Sequence, residues 1–139
     1  MNTVRQNPAG PEGSGEELLP SYLMGTNQDD TLLNRGGVIN GLEGDDRLFM
    51  FSSTAFGGDG ADTFVHLSGD VWIMDFDRLE GDTLNTLHRA PTDVITDGEN
   101  SGLVFDHGTV WLAGINVVEA EWMAHQMYTE QQIILDSLA

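Results

Sequence analysis

Aspartate residues recur at a fixed interval in this chain, each five residues after a glycine. Asp30, Asp46 and Asp62 are 16 residues apart, and each is the sixth residue of a segment that begins with glycine. Carboxylates brought together by such a repeat repel one another, by roughly 0.8 kcal/mol per pair at about 5 Å in water. A hard cation removes this repulsion, and calcium accepts carboxylate and backbone carbonyl oxygens at loosely constrained angles. The spacing therefore predicts a column of calcium sites.

The segments that carry these aspartates are copies of one another. They are Gly-Thr-Asn-Gln-Asp-Asp-Thr-Leu-Leu at 25–33, Gly-Leu-Glu-Gly-Asp-Asp-Arg-Leu-Phe at 41–49 and Gly-Gly-Asp-Gly-Ala-Asp-Thr-Phe-Val at 57–65. Each copy has a large apolar residue at its eighth place, which is typical of a turn followed by a strand. Shorter segments with apolar residues, at 38–39, 55–56 and 71–73, supply a second strand per period. One period then forms one coil of a two-sheet solenoid, with consecutive coils about 4.8 Å apart.

This pattern resembles the Gly-Gly-x-Gly-x-Asp-x-apolar-x nonapeptide of the RTX (hemolysin-type) calcium-binding repeats. The copy at 57–65 matches every fixed place, whereas Leu42 replaces the second glycine of the middle copy, and Thr26 and Gln28 replace two glycines of the first. The resemblance implies an all-β fold, a parallel β-roll, which is a two-sheet right-handed solenoid with Gly-Asp calcium turns. It implies that the first six residues of each copy form the calcium turn and the last three a short strand.

The resemblance also implies a ligand set. The carboxylate ligands are Asp30, Asp46 and Asp62, and the backbone carbonyl ligands are those of Gly25, Asn27, Gly41, Glu43, Gly44, Gly58 and Gly60. In the family each coil usually contains two nonapeptides, but here every second unit is cut to seven residues without the aspartate pattern. We therefore expect calcium on one edge only. Three stacked turns predict two calcium ions, and a third if the following segment closes another turn.

That following segment, 73–84, resembles the stretch that ends β-rolls in secreted RTX proteases, an Ile-x-Asp-Phe run followed by Gly-Asp. In this context Asp82, and less directly Asp75, are expected to ligate the last ion. The alternative is that both aspartates cap turns.

Three regions are expected along the chain. We expect a flexible N-terminal tail at 1–24, with a docking strand at its end. The β-roll is expected at 25–83 and a C-terminal cap at 84–139. Within the cap, the pattern at 103–112 predicts a hairpin around Asp-His-Gly, and the apolar face at 117–127 predicts a short helix. A solenoid needs such a cover for its open end, because the last coil would otherwise expose its core and strand edges.

Composition excludes several classes of function. The 139 residues include 23 acidic and 5 basic side chains, a net charge of −18 that opposes binding to nucleic acid. There is no cysteine, no apolar run long enough to span a bilayer, and no signal-peptide pattern at the N-terminus. His66, His88, His107 and His125 are scattered without a metal-binding spacing, so surface or turn roles are expected for them. With no nucleophile or phosphate motif, we predict that the protein is not an enzyme.

The function predicted from sequence is thus a calcium-binding module that folds on calcium. The resemblance implies a bacterial protein secreted without an N-terminal signal peptide, by type I machinery that reads an uncleaved C-terminal signal to which 128–139 would belong. One alternative is a carbohydrate-active or carbohydrate-binding β-roll module that stacks a polysaccharide on Trp72, Trp111 or Trp122. The other is a calcium-dependent surface or adhesive protein.

Overall fold

A computed structural model describes residues 3–7 and 22–138 of the chain. Within these residues the chain forms twelve strands, one short 3-10 helix at Arg78–Glu80 and one α-helix. The strands are β1 (Thr3–Asn7), β2 (Tyr22–Met24), β3 (Asp30–Arg35), β4 (Val38–Asn40), β5 (Arg47–Phe51), β6 (Thr54–Phe56), β7 (Thr63–Ser68), β8 (Val71–Ile73), β9 (Thr83–Asn85), β10 (Asp93–Thr96), β11 (Ser101–Phe105) and β12 (Gly108–Leu112). The helix α1 is Val117–Ser137.

The strands form two sheets, which the chain visits alternately from β1 to β9 before it adds β10, β11 and β12 to the second sheet. The first sheet has the order β1-β3-β5-β7-β9, and all its neighbours are parallel. In the second sheet, β2, β4, β6, β8 and β12 are parallel neighbours, and β11 and β10 follow as antiparallel strands. The predicted parallel solenoid of two sheets is therefore confirmed, with about four stacked coils.

The 16-residue period keeps equivalent side chains in register between coils. In the first sheet Leu32 pairs with Leu48 and Leu48 with Phe64, and all three side chains are fully buried. In the second sheet Ile39, Ala55 and Ile73 form the facing column, which is also fully buried. Burying one large apolar side chain contributes roughly 1.5–3 kcal/mol, so these two columns supply the main driving force for stacking. The turns at the edges are held in register as a result.

Two strands lie in the region expected to be an N-terminal tail. Strand β1 pairs in parallel with β3, and β2 pairs in parallel with β4, so both extend the sheets by one position. Strand β2 is the docking strand expected at the end of the tail. The rest of the expected tail, residues 1–2 and 8–21, lies outside the described residues.

The C-terminal region covers the other end of the solenoid. Strands β11 and β12 form the predicted hairpin, and β12 pairs with β8, so the hairpin continues the second sheet. The helix α1 is longer than the predicted 117–127, because residues 128–137 contain no proline or glycine to end it. Ala120, Met123 and Ala124 bury the face that packs on the core. No helix in the described residues is long and apolar enough to cross a membrane.

Candidate metal centre

The three predicted turns lie one above another at a single edge of the solenoid. Each joins a strand of the second sheet to a strand of the first, and backbone hydrogen bonds from Gly25 N to the carbonyl O of Asn40 (2.8 Å) and from Gly41 N to that of Phe56 (2.9 Å) tie neighbouring coils together. Gly44 and Gly60 have φ of 101° and 108°, in the left-handed region that only glycine adopts without strain. The glycine pattern therefore shapes these turns.

The sixth-place aspartates of consecutive turns form a buried hydrogen-bonded column. Asp30 N donates to Asp46 Oδ1 (2.8 Å), Asp46 N donates to Asp62 Oδ1 (2.9 Å), and Asp62 N donates to Asp82 Oδ1 (2.9 Å). The four residues are between 0 and 3 % exposed. The structure thus brings together the four aspartates that the sequence singled out as carboxylate ligands.

The two middle carboxylates of this column each have one oxygen without a partner. Oδ2 of Asp46 and Oδ2 of Asp62 are buried and accept no hydrogen bond. The end carboxylates are satisfied, since Asp30 accepts hydrogen bonds from Thr26 N (2.5 Å) and Thr26 Oγ1, and Asp82 Oδ2 accepts one from Asp77 N (2.9 Å). Burying a carboxylate oxygen without a hydrogen-bond partner costs free energy. Oδ2 of Asp46 and Oδ2 of Asp62 therefore each need a bound cation or a proton.

Glycine at the first place of each turn leaves room for these oxygens. A Cβ on Gly41 would clash with Asp46 Oδ2 and would lie 2.8 Å from the carbonyl O of Gly57 in the next turn. A Cβ on Gly57 would clash with Asp62 Oδ2 in the same way. Each carboxylate oxygen therefore faces the glycine of its own turn, and the carbonyl O of Gly57 in the next turn also lies close to Gly41. Gly57 belongs to this arrangement although it was not among the expected ligands.

Burial changes the acidity of the column. It raises the pKa of Asp46 to about 7, and the neighbouring charges of Asp30, Asp29 and Asp45 add to the effect against the opposing hydrogen bond from Asp30 N. Burial likewise raises the pKa of Asp62 to about 8, with further contributions from the charges of Asp82 and Asp46. Without a cation, these two carboxylates hold protons near neutral pH.

A second row of carboxylates, outside the buried column, also ties the turns together. Asp45 N donates to Asp29 Oδ1 (2.7 Å), and Ala61 N donates to Asp45 Oδ1 (2.8 Å). Asp29 and Asp45 share the fifth place of their copies, but this role was not predicted from the sequence. These exposed acids fix the spacing of the turns and add negative charge beside the column.

A fourth turn, at 77–82, extends the column beyond the recognised copies. Its Asp82 follows Asp62 by 20 residues rather than 16, and Asp77 stands where the other copies begin with glycine. The run Asp-Thr-Leu at 82–84 repeats the run at 30–32, which is the sequence signal for this turn. Asp75 instead caps the third turn, because its two carboxylate oxygens accept hydrogen bonds from Gly57 N (2.8 Å) and Gly58 N (2.9 Å).

The other residues that were expected to bind calcium through backbone carbonyls differ in exposure and in where their carbonyls point. Asn27 and Glu43 are exposed. A Cβ on Gly60 would clash with the carbonyl O of Gly44, so that carbonyl points at the next turn, whereas the carbonyl that crowds Gly58 belongs to Leu42. Among the described residues, no three His, Asp or Glu side chains gather as a preformed metal site. A cation in the column therefore has to complete its shell with backbone carbonyls and water.

The loop at 97–102 has a structural role. Asp97 accepts hydrogen bonds from Glu99 N (3.0 Å) and Asn100 N (2.8 Å) and closes the turn between β10 and β11. These bonds hold the pKa of Asp97 below its usual value. Its carboxylate is satisfied locally and needs no ion.

Comparison of the chain with protein-family models, with curated proteins and with solved structures finds no match.

Proposed function

We propose that this protein is a non-enzymatic calcium-binding module whose solenoid folds when calcium occupies the aspartate column. The observation that carries the proposal is the pair of buried, unpartnered oxygens, Asp46 Oδ2 and Asp62 Oδ2. Each belongs to a carboxylate whose other oxygen already bonds the preceding turn. A cation at Oδ2 neutralises the column without disturbing those bonds.

The donors around these oxygens suit calcium better than other common cations. The turns offer carboxylate and carbonyl oxygens, which are hard ligands, at positions set by backbone geometry. Calcium tolerates six to eight such ligands in irregular arrangements, whereas magnesium demands near-octahedral geometry and keeps its waters. Two ions are expected, at Asp46 and Asp62, because Asp30 and Asp82 are already satisfied within the protein.

Calcium at these sites would contribute a large part of the stability. If each site has a Kd of about 0.1 mM, about 1 mM calcium adds roughly 1.4 kcal/mol per site. A typical domain is stable by only ~5–15 kcal/mol, so two sites shift the folding equilibrium substantially. The module would be unfolded at low calcium and folded at extracellular calcium, which agrees with the type I secretion that the RTX resemblance implies.

Isothermal titration calorimetry combined with far-UV circular dichroism tests this function. At about pH 8 or above, where Asp46 and Asp62 have lost their protons, chelated protein should show little β signal, millimolar calcium should restore it with about two ions bound, and magnesium should not. The same β signal with and without chelator, together with no calorimetric calcium binding, would exclude the proposal.

A second candidate function rests on the outward face of the second sheet. Trp72 and Trp111 lie in register on that face, with ring centres 5.2 Å apart and planes 11° apart. Tyr22, in the same row of the sheet, is 56 % exposed. Aromatic surfaces of this kind stack on sugar rings, so polysaccharide binding is the alternative. A glycan array separates the two, since loss of a glycan signal in Trp72→Ala with calcium binding intact would support it.

A further inference from the structure

Two histidines that are far apart in sequence meet at the edge of the solenoid opposite the aspartate column. His66 is the last inward residue of β7, and His107 lies in the turn of the β11–β12 hairpin. The hairpin turn sits on the turn of the last coil, where Gly69 N donates to the carbonyl O of His107 (2.8 Å) and Thr109 N donates to Asp70 Oδ1 (3.0 Å). The pair therefore lies at the junction between the β-roll and its cap.

The hydrogen bond of His66 determines which of its ring nitrogens is free. Nε2 lies 2.8 Å from the carbonyl O of Gly69, and because a carbonyl only accepts, Nε2 carries the proton. The ring is fully buried, and burial lowers its pKa, so it is neutral and Nδ1 carries a lone pair. Nδ1 is buried and has no hydrogen-bond partner. A histidine that binds a metal commonly has this arrangement, with its other N–H donated to a backbone carbonyl.

His107 presents further nitrogens at the same place. Both of its ring nitrogens are buried and without a hydrogen-bond partner. Its ring centre is 4.6 Å from that of His66, with 35° between the planes. The Phe105 ring lies 5.6 Å from His66 and 5.8 Å from His107, and forms an apolar wall that offers neither histidine a hydrogen bond.

We propose that His66 and His107 form a second metal site, for a divalent transition ion that prefers imidazole nitrogen, of which Zn²⁺ is the type. Zinc binds histidine nitrogen at about 2.0–2.1 Å, which places two imidazole centres roughly 5 Å apart on a tetrahedral ion. The observed separation of 4.6 Å fits this value. Water fills the remaining positions. The site takes a softer class of ion than the aspartate column, whose ligands are all oxygen.

The charges around the pair are mixed. Asp70 favours the charged form of His66 and Asp106 favours that of His107, so both carboxylates also favour a bound cation. Arg89 opposes positive charge at both rings. A metal ion here would link the last coil to the cap across 41 residues of sequence. It would stabilise the junction independently of calcium.

Titration of the full, untagged chain with Zn²⁺ in saturating calcium tests the site. We expect one Zn²⁺ per chain by calorimetry and, with Co²⁺ in its place, a visible absorption band of tetrahedral nitrogen and oxygen ligation. His107→Gln should weaken binding at least about tenfold. His88→Gln is the matched control, because His88 is exposed and lies 3.6 Å from Glu130, where an adventitious surface site would form.

Nitrogen NMR of the unsubstituted protein gives a readout that does not depend on a variant folding. Zn²⁺ should shift His66 Nδ1 and one nitrogen of His107, and leave His88 and His125 unchanged. Absence of Zn²⁺ binding, equal affinity in His107→Gln and the original chain, or shifts confined to His88 and His125 would each overturn the proposal.

Discussion

The two oxygens of each middle carboxylate in the column have different surroundings. Oδ1 of Asp62 accepts the amide of the preceding turn, whereas Oδ2 has no protein partner. Asparagine keeps an oxygen for the first contact and removes the negative charge that a cation needs. Substitution of Asp62 by asparagine can therefore separate the structural hydrogen bond of this side chain from ion binding.

Asp62→Asn should lose one calcium ion and weaken the remaining binding, because the two expected ions share this part of the column. Asp59→Asn removes the same charge from an exposed place in the same turn and should leave calcium binding nearly unchanged. Calorimetric titration of both variants measures the difference. Equal effects would mean that net charge, and not the buried oxygen, governs binding.

Calcium-free protein should lose stability as the pH rises from about 4, near the unfolded pKa of these aspartates, to about 8, their highest native pKa. The pKa values of Asp46 and Asp62 are raised to about 7 and about 8, so the native state holds protons that the unfolded chain releases at lower pH. Their contribution is complete below the unfolded pKa and is lost as the pH passes the native pKa. The β signal in chelator, followed by circular dichroism, should fall across this window.

The buried histidines have the opposite sign. Burial lowers the pKa of His66 and His107, so their contribution is complete above the unfolded pKa of about 6.5 and is lost as the pH falls below it towards their native pKa. Saturating calcium should remove the loss above pH 6.5, since it replaces the protons at the aspartates. A loss of the same size with and without calcium would contradict the assignment.

At the scale of the element, stacking of one turn on the next depends on glycine without a side chain. Gly58 and Gly36 both have positive φ, of 83° and 86°, so alanine at either position costs about 1–2 kcal/mol in backbone strain. A Cβ on Gly58 would also clash with the carbonyl O of Leu42, whereas no atom lies within 4 Å of a Cβ on Gly36. Gly58→Ala should therefore be the more destabilising and should also weaken calcium binding.

Urea unfolding in calcium and a calcium titration of both glycine variants measure this difference. If the two variants lose equal stability, the close approach of the turns contributes nothing beyond the backbone conformation. The comparison isolates stacking because the two glycines share their φ and differ in what faces them.

The regular coils were the part of the fold most open to prediction. Their 16-residue period fixes both the alternation of inward residues and the position of the aspartates. Leu32, Leu48 and Phe64 therefore predict an equivalent strand in each of the three copies. The fourth turn could be predicted only in part, because its aspartate follows after 20 residues and Asp77 replaces the leading glycine. Strand β1 does not carry the glycine-aspartate pattern, so its parallel pairing with β3 could not be predicted from the repeat.

Contacts between residues that are far apart in sequence could not be predicted from the 16-residue repeat. His66 and His107 looked scattered because their meeting depends on how the hairpin turn sits on the last coil. The unpartnered oxygens of Asp46 and Asp62 likewise follow from side-chain orientation, whereas their convergence follows from the repeat alone. Periodicity identifies which residues share an edge, and three-dimensional packing decides which of their atoms remain free.

At the scale of the whole molecule, the cap should be required for calcium-driven folding. Ala120, Met123 and Ala124 of α1 pack on the core, so a chain that ends at Gly114 would expose core residues such as Leu103. This truncated chain should fold only at a higher calcium concentration than the full chain, or it should aggregate. A chain that ends at Gln131 loses mainly exposed residues and should keep the original calcium midpoint, measured by circular dichroism. Equal midpoints for both chains would show that the helix is dispensable.

The hydrogen bonds of the aspartate column all run in one direction. The carboxylate of each turn receives the amide of the turn before it, and the turn at 77–82 is closed by its own bond from Asp77 N to Asp82 Oδ2. The first turn is also closed by its own bond, from Thr26 N to Asp30, but only the last turn offers its carboxylate Oδ1 to the turn before it and needs none after it, so the third, second and first can assemble on it in that order. We therefore expect assembly to proceed from the C-terminal end, opposite to the direction of synthesis. A growing chain would then have no template for its early turns until the ribosome has added the late ones, and the module is expected to stay open throughout translation.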